Sequence, residues 1–269
     1  MSTVPEFRHT SGRPAPALRG LLARDYAGFT QPPSTRFSWV ATAAPTATVI
    51  VNLHGDITGL PSAFAAGPSD THRVVEQTGA VECADLKLTP LGAYRLLGTP
   101  MAALTGLAVD LTDLLGPAGA TLVPRMAEAP TWVARFALLD AFLLDRLASG
   151  PTPAPEVEWV WRRMVERGGN VLVGNLAAEV GWSRRHLVAR FRQQVGLTPK
   201  TAARVLRFDT VLRRLPAGPP ARVAVECGYY DQSHLDRDFR EFAGTTPSAY
   251  LGHTPSEVTF FQYGWSPAA

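Results

Sequence analysis

Side chains that could hold an anion or pair with a base edge occur in two short segments of the second half of the sequence. The first segment, SRRHLVARFRQQVGLTP, occupies residues 183–199 and is followed by Lys200, and the second, DQSHLDRDFREFAGTTP, occupies residues 231–247. Arginine and lysine neutralise phosphate groups, and arginine, glutamine and aspartate can each hydrogen-bond to base edges in the major groove of DNA. Both segments therefore carry the side-chain types that contact with a nucleic acid requires.

The two segments belong to a duplicated unit. Residues 175–199, NLAAEVGWSRRHLVARFRQQVGLTP, align with residues 222–247, RVAVECGYYDQSHLDRDFREFAGTTP, with one additional residue in the second copy. In each copy a glycine can adopt positive φ where a first helix ends, and Ser183 or Asp231 can then cap a second helix. The pattern predicts two helix-turn-helix units, in which the second helix enters the major groove.

Each second helix has an apolar side that predicts which residues remain for DNA. Leu187 and Phe191, like Leu235 and Phe239, are four positions apart and are expected to pack inward. The residues predicted to contact DNA are Arg184, Arg185, Val188, Ala189, Arg192 and Lys200 in the first unit, and Asp231, Gln232, Ser233, Asp236, Arg237 and Arg240 in the second. The alternative interpretation is that both sets are solvated helix faces.

The residue types suggest a role for most of these contacts. Arg237 can bond to guanine in bidentate fashion and Gln232 to adenine, and Asp236 can accept from cytosine N4. Val188 and Ala189 can give only apolar contact, for example with a thymine methyl group. The cations of the first unit, Arg184, Arg192 and Lys200, are expected on phosphates.

Charge is distributed unevenly between the two units. Residues 170–214 hold nine Lys and Arg against two acids, a net charge of +7 in a chain whose formal net charge is +3. Residues 221–251 hold three Lys and Arg against five acids, a net charge of −2. We therefore expect the first unit to supply most of the phosphate affinity and the second to supply discrimination between sequences.

Residues 155–251 resemble the C-terminal DNA-binding domain of the AraC/XylS family of transcriptional regulators. The motifs that carry the resemblance are SRRHLVARFRQQVGLTP, LRFDTVLRRL and CGYYDQSHLDRDFREFAGTTPSAY. The resemblance implies a sequence-specific regulator that binds promoter or operator DNA. Its two recognition helices would lie on one face and contact major-groove segments about 34 Å apart. It also implies RNA polymerase as a partner if the protein activates.

The segments DLKLTPLGAYRLLGTPMAALTGLAVDLTDLLG and ARFALLDAFLLDRLA are similar to one subgroup of these regulators. In the wider family this region is a sensor or dimerisation domain, often a cupin-like β-barrel. The resemblance thus implies a small-molecule effector, a homodimer, or both.

The sequence predicts an α+β chain with two domains. Short Val-, Ile- and Thr-rich runs between residues 36 and 90 favour a mainly-β domain at 1–148, a small barrel or sandwich with a helical appendage. A proline-rich linker at 149–156 precedes an all-α domain at 157–253, and a tail covers 254–269. In the segment 131–148 an apolar stripe from Trp132 to Leu147 indicates a helix that either covers its own domain or forms a dimer seam.

Other chemistry finds little support in the sequence. His54 and His72 lack the spacing of a cupin metal site, and no phosphate loop, catalytic triad or carboxylate pair is present, so we expect neither metal, cofactor nor catalytic residues. Cys83 and Cys227 are expected to be buried, reduced thiols. No apolar run is long enough for a membrane span, and we expect a cytoplasmic protein.

Two further hypotheses remain open. One is an enzyme domain, with a reactive Cys83, attached to a DNA-targeting tail. The other is a DNA-binding module whose N-terminal domain only dimerises.

Overall fold

The computed structural model describes residues 8–31, 37–57 and 59–252. Within these residues an antiparallel sheet and four helices form the first part, and seven helices follow. The α+β class predicted from the sequence, mainly β and then all α, is confirmed. The predicted tail at 254–269 lies outside the described residues.

The sheet is built around one long central strand. Its strands are β1 Arg8–Gly12, β2 Tyr26–Gln31, β3 Phe37–Ala41, β4 Ala47–Ile57, β5 Ala63–Ala66, β6 Arg73–Leu88 and β7 Ala108–Asp110. Their order is β1-β2-β6-β4-β5-β7, and β3 also pairs with β6. Because β1 and β7 lie at opposite ends of this order, the described strands do not close into a complete hydrogen-bonded barrel.

Strand β6 joins two segments that the sequence pattern separates. The Gly79 interruption suggests two strands, but Arg73–Leu88 is a single strand of 16 residues. On one edge β6 pairs with β3 before Gly79 and with β2 after it, so the glycine lies where the partner changes. Gly79 has φ 85 and Gly55, on the neighbouring β4, has φ 76. The two glycines therefore mark an irregularity inside the sheet, not a turn between strands.

Four helices belong to the first part: α1 Pro90–Leu97, α2 Leu111–Leu115, α3 Pro117–Glu128 and α4 Trp132–Ser149. Helix α4 packs its apolar stripe on its own sheet. Phe136 stacks on Tyr26 with ring centroids 5.6 Å apart, and a Cβ on Gly28 would lie 2.5 Å from the Trp132 ring. Of the two interpretations of this stripe, the structure shows that it covers its own domain.

The opposite face of the sheet is also apolar, and we call it the inner face. It carries a buried cluster that includes Phe29, Trp39, Ile50, Phe64 and Val75. No helix of the N-terminal domain contributes a buried residue to this cluster among those described. The inner face instead turns towards the C-terminal helices.

The second part consists of α5 Pro155–Glu166, α6 Val173–Glu179, α7 Arg184–Val195, α8 Pro199–Arg214, α9 Pro220–Glu226, α10 Gln232–Ala243 and α11 Pro247–Gly252. Helix α5 begins inside the predicted 149–156 linker. Helix α8 lies at the centre, where Val205, Phe208 and Val211 are fully buried. Phe208 packs edge-on against Phe239 and Phe242 of α10, with ring centroids 5.1 and 5.3 Å apart.

The two parts share contacts. Ala43 and Leu91, from the N-terminal part, belong to the buried core of the C-terminal helices. The Ala43 backbone N–H donates to the Phe242 carbonyl oxygen at 2.8 Å. The segment that follows β3 is therefore hydrogen-bonded to the C-terminal end of α10.

Candidate nucleic-acid interface

The first unit is formed by α6 and α7. After α6, Gly181 has φ 70, and the Ser183 hydroxyl then accepts a hydrogen bond from the His186 backbone N–H at 3.2 Å. Leu187 and Phe191 are fully buried beneath α7. The predicted turn glycine, cap and inward face are confirmed for this unit.

The second unit, α9 and α10, repeats the same arrangement. Gly228 has φ 80, and the Asp231 carboxylate accepts from the His234 backbone N–H at 2.8 Å. Leu235 and Phe239 are fully buried. The duplication in the sequence therefore produces two copies of one local structure.

The paired histidines have the same packing in both units. The His186 ring meets the edge of Trp182 at 4.5 Å between centroids, and the His234 ring meets Tyr229 at 5.0 Å. Each aromatic residue follows the turn glycine and so joins the turn to the start of the second helix. These contacts support the predicted structural role.

Accessible positive charge in the first unit is confined to a few side chains. Arg184, Arg185, Arg192 and Lys200 are exposed, and among the described residues none of their charged groups has a hydrogen-bonding or ion-pair partner. Ala189 is exposed between them and Val188 is partly buried. All six residues predicted for this unit therefore lie on or beside the exposed side of α7 and the start of α8.

The other cations of the basic region are engaged inside the protein. Arg213 pairs with Asp209, Arg190 donates to Gln193 at 2.8 Å, and Arg207 lies over the Tyr229 ring at 5.4 Å. The net charge of +7 read from the sequence thus overstates the charge that is free to meet DNA.

The acids of α10 are also largely used within the fold. Asp238 is buried, accepting from Arg204 at 2.7 Å and from the Tyr229 hydroxyl at 3.2 Å. Glu241 pairs with Arg204 at 2.6 Å. Hydrogen bonds to Glu241 and Asp238 raise the pKa of Arg204. Three of the acids in this segment are therefore used within the fold, because Arg204 of α8 holds Asp238 and Glu241 and Asp231 caps α10.

The exposed face of α10 carries Gln232, Ser233, Arg237 and Arg240. Asp236 is partly buried, and its Oδ1 atom is enclosed without a partner among the described residues. The predicted residues of the second unit thus lie together near the exposed side, with Asp236 at its margin.

The C-terminal part of the chain is similar in sequence to known proteins. Residues 176–253 match a family model described as a helix-turn-helix domain, and this range contains both units except the first three residues of α6. The C-terminal part is an AraC-type helix-turn-helix domain. A curated relative, the uncharacterized HTH-type transcriptional regulator YbfI of Bacillus subtilis (strain 168), is 34% identical over 91 residues. The match spans 33% of this chain and 33% of that relative.

Two solved structures are similar to this chain at low sequence identity. ToxT from Vibrio cholerae O395 is 10% identical, with a TM-score of 0.44, over 90% of this chain and 99% of that one. The C-terminal domain of AraT, a response regulator from Geobacillus stearothermophilus, is 18% identical with a TM-score of 0.36. That match covers 42% of this chain and 98% of that one.

Two residues of the AraC-type domain escaped the sequence reasoning. Tyr230 is 90% exposed immediately before the α10 cap, and it is the additional residue of the second copy. That insertion was a signal that could have identified it. Arg204 was counted as part of the basic patch, but it fastens α10 to α8 and also lies over the Phe242 ring at 4.8 Å.

Other kinds of site find no support around the AraC-type domain or in the sheet. Cys83 is buried, and burial raises the pKa of its thiol, which disfavours the nucleophilic thiolate. Among the described residues, no group of three or more His, Cys, Asp or Glu is placed to hold a metal ion. No described helix is both long and apolar enough to cross a membrane.

Proposed function

We propose that this protein is a sequence-specific DNA-binding transcription regulator whose N-terminal domain modulates DNA binding. The observation that carries the proposal is the duplicated helix-turn-helix unit. Helix α7 presents cations that have no partner among the described residues, and α10 presents side chains that can hydrogen-bond to the edges of bases. Either unit alone would be weak evidence, because other helical hairpins can mimic it. Two copies fixed to one central helix fit the contact of two neighbouring major-groove segments.

The two units have different roles in this proposal. Arg184, Arg192 and Lys200 bind phosphates and give affinity that depends on salt but not on sequence. Arg185, Val188 and Ala189 face the bases. Tyr230 is added as a phosphate contact, since its hydroxyl stands at the start of α10.

On the second unit, Gln232, Ser233, Arg237 and Arg240 provide most of the sequence discrimination. Asp236 acts as a filter at the margin of that face, where a carboxylate repels sites without a matching donor. Asp231 caps the helix and takes part only through its position.

The N-terminal domain can influence both recognition helices because it touches the C-terminal end of each. The Thr105 hydroxyl donates to the Gly196 carbonyl oxygen, beyond α7, at 2.9 Å. His72 Nδ1 donates to the Glu241 carbonyl oxygen of α10 at 3.1 Å. A small change in the sheet would therefore alter the placement of both helices, which favours a sensor over a domain that only dimerises. The buried Cys83 gives no support to the enzyme hypothesis.

Homodimerisation remains part of the proposal, as does contact with RNA polymerase if the protein activates transcription, and we place the protein in the cytoplasm. The test is binding to the DNA upstream of its own gene at physiological salt, with unrelated DNA as competitor. A large ratio of specific to competitor affinity is expected. A ratio near one would remove the claim of sequence specificity.

A further inference from the structure

A cavity of about 200 Å³ lies between the inner face of the sheet and α8. The sheet supplies its floor through β3, β4, β5 and β6, and α8 contributes Asp209 and Leu212 to its wall. The cavity is thus bounded by both domains. Helix α8 is also the helix that holds the two recognition helices together.

Most of the cavity wall is apolar. Trp39, Ile50, Phe64 and Val75 come from the buried cluster of the inner face, and Leu212 faces them from α8. Sites for small molecules generally combine such a wall with a small number of polar groups that orient the ligand. The polar groups of the wall therefore indicate the kind of ligand.

Lys87 is one of two cations that β6 contributes to the sheet floor, with Arg73. It lies directly across from Thr48 in the β4–β6 pairing, and its Nζ donates to the Thr48 hydroxyl at 2.6 Å. Among the described residues no carboxylate lies within ion-pair distance of that Nζ. The neighbouring Asp85 is engaged by Arg24 at 2.5 Å. An ammonium group in a largely apolar cavity wall that bonds one neutral side chain is costly, and an anion beside it would offset that cost.

The other charged groups of the wall already have partners. Asp209 pairs with Arg213 on the same helix, and Arg73 donates to the Gly106 carbonyl oxygen at 2.9 Å. Lys87 is therefore the charged group of the wall that remains available to a ligand.

We propose that this cavity binds a compact, largely apolar carboxylic acid whose carboxylate pairs with Lys87. Its apolar body lies between Trp39, Phe64 and Leu212. The volume sets the size, because a cavity of about 150 Å³ accommodates benzene, so one ring with a small substituent fits. The inference rests on the proposed function only in naming the bound acid as the signal that alters DNA binding.

The chain offers a matched pair for the test, since Lys87 and Lys200 are its only lysines. Full-length protein with ¹³C-labelled lysine gives two side-chain signals by NMR. The probes are cyclohexanecarboxylate and phenylacetate, each compared with its neutral amide. We expect an acid to shift one signal only, and Lys200→Met identifies that signal as Lys87 even if Lys87→Met does not fold.

Calorimetry with the same probes gives the affinities. Lys87→Met should weaken binding of the acid about tenfold or more, as expected for loss of a charge-assisted hydrogen bond, and Lys200→Met should leave it unchanged. Equal binding of acid and amide, no shift of the Lys87 signal with either acid, or full affinity in folded Lys87→Met would each overturn the proposal.

The samples in these measurements contain no DNA, so the results test the ligand site independently of the proposed function. Binding of the acid without any DNA binding would refute the regulator and leave the site intact. DNA binding without binding of the acid would do the reverse. A shift in DNA affinity on addition of the acid, lost in Lys87→Met, would join the two.

Discussion

The two lysines of this chain occupy opposite environments. Lys87 lies in the floor of the cavity, and burial lowers its pKa. Lys200 is exposed at the start of α8, beside the unpaired arginines of α7. The same side chain is therefore suited to a buried anion in one place and to a solvated phosphate in the other. The exposure of each lysine side chain and its bonding partners decide between these roles, and the residue type alone specifies neither.

The lowered pKa of Lys87 gives a pH dependence for binding of the acid. Pairing requires the protonated ammonium, so affinity should fall as pH rises, and should do so below the usual titration range of lysine. Asp85 raises this pKa and Arg24 lowers it further, while Thr48 is a neutral partner. Calorimetry with cyclohexanecarboxylate across neutral and alkaline pH measures this effect. A flat profile up to the normal lysine range would contradict it.

Replacement of Arg192 and replacement of Arg237 should weaken DNA binding in different ways. Arg192→Ala removes a phosphate contact, so it should weaken all DNA sequences alike and reduce the slope of log K against log salt by about one. Arg237→Ala should cost about 1–3 kcal/mol on the preferred site and little elsewhere. Titrations of specific and unrelated duplexes at several salt concentrations separate them. The same loss on both duplexes for Arg237→Ala would exclude base contact.

At the scale of elements, α8 connects the two recognition helices through different contacts. It follows α7 after a short turn, and it holds α10 through Arg204 and the Phe208 ring. The acidic composition of α10 is thereby explained, because Asp238 and Glu241 bind a neighbouring helix and do not face DNA. These contacts with α8 set the spacing between the two recognition helices.

Replacement of Arg204 by Met should destabilise the C-terminal domain by about 3 kcal/mol, because it leaves the buried Asp238 carboxylate without its cation. Glu241→Gln is the matched control. Its side chain is 44% exposed, and loss of such a pair should cost less than about 1 kcal/mol. Urea unfolding followed by circular dichroism measures both. An equal loss of unfolding free energy in the two variants would show that the buried Arg204–Asp238 pair stabilises the domain no more than the exposed Arg204–Glu241 pair.

At the scale of the whole molecule, the N-terminal domain contacts the C-terminal ends of both recognition helices, and its sheet and α8 together line the cavity. The side chains of Thr105 and His72 each donate a hydrogen bond to one of these helix ends, and Ala43 adds a backbone hydrogen bond. This arrangement lets one domain affect both DNA-contacting helices together.

The double variant Thr105→Val, His72→Ala should loosen the docking of the two domains. Each lost hydrogen bond contributes about 1 kcal/mol, so cleavage in residues 149–154 by a dilute protease should become faster. Thr121→Val is the control, since among the described residues that hydroxyl donates only to the Ala118 carbonyl oxygen within α3. If the double variant is cleaved at the rate of the control, these contacts do not hold the domains together.

Local features were predictable because their causes are local. The caps at Ser183 and Asp231 and the glycine turns depend on residues a few positions apart, and the duplication in the sequence exposed them. The α4 helix was recognised from its apolar period. By contrast, Gly79 was misleading, because the pattern alone cannot show that two pairing partners meet along one continuous strand.

The sequence by itself determined the two helix-turn-helix units, their inward faces and the residue types offered to DNA. Only the tertiary structure decided which charges remain free and where a ligand could lie. Arg204 and Asp238 are 34 positions apart, and Lys87 lies more than a hundred positions before Leu212. Capping and helical periodicity act over a few residues, whereas charge pairing and cavity formation depend on segments that meet only when the chain folds.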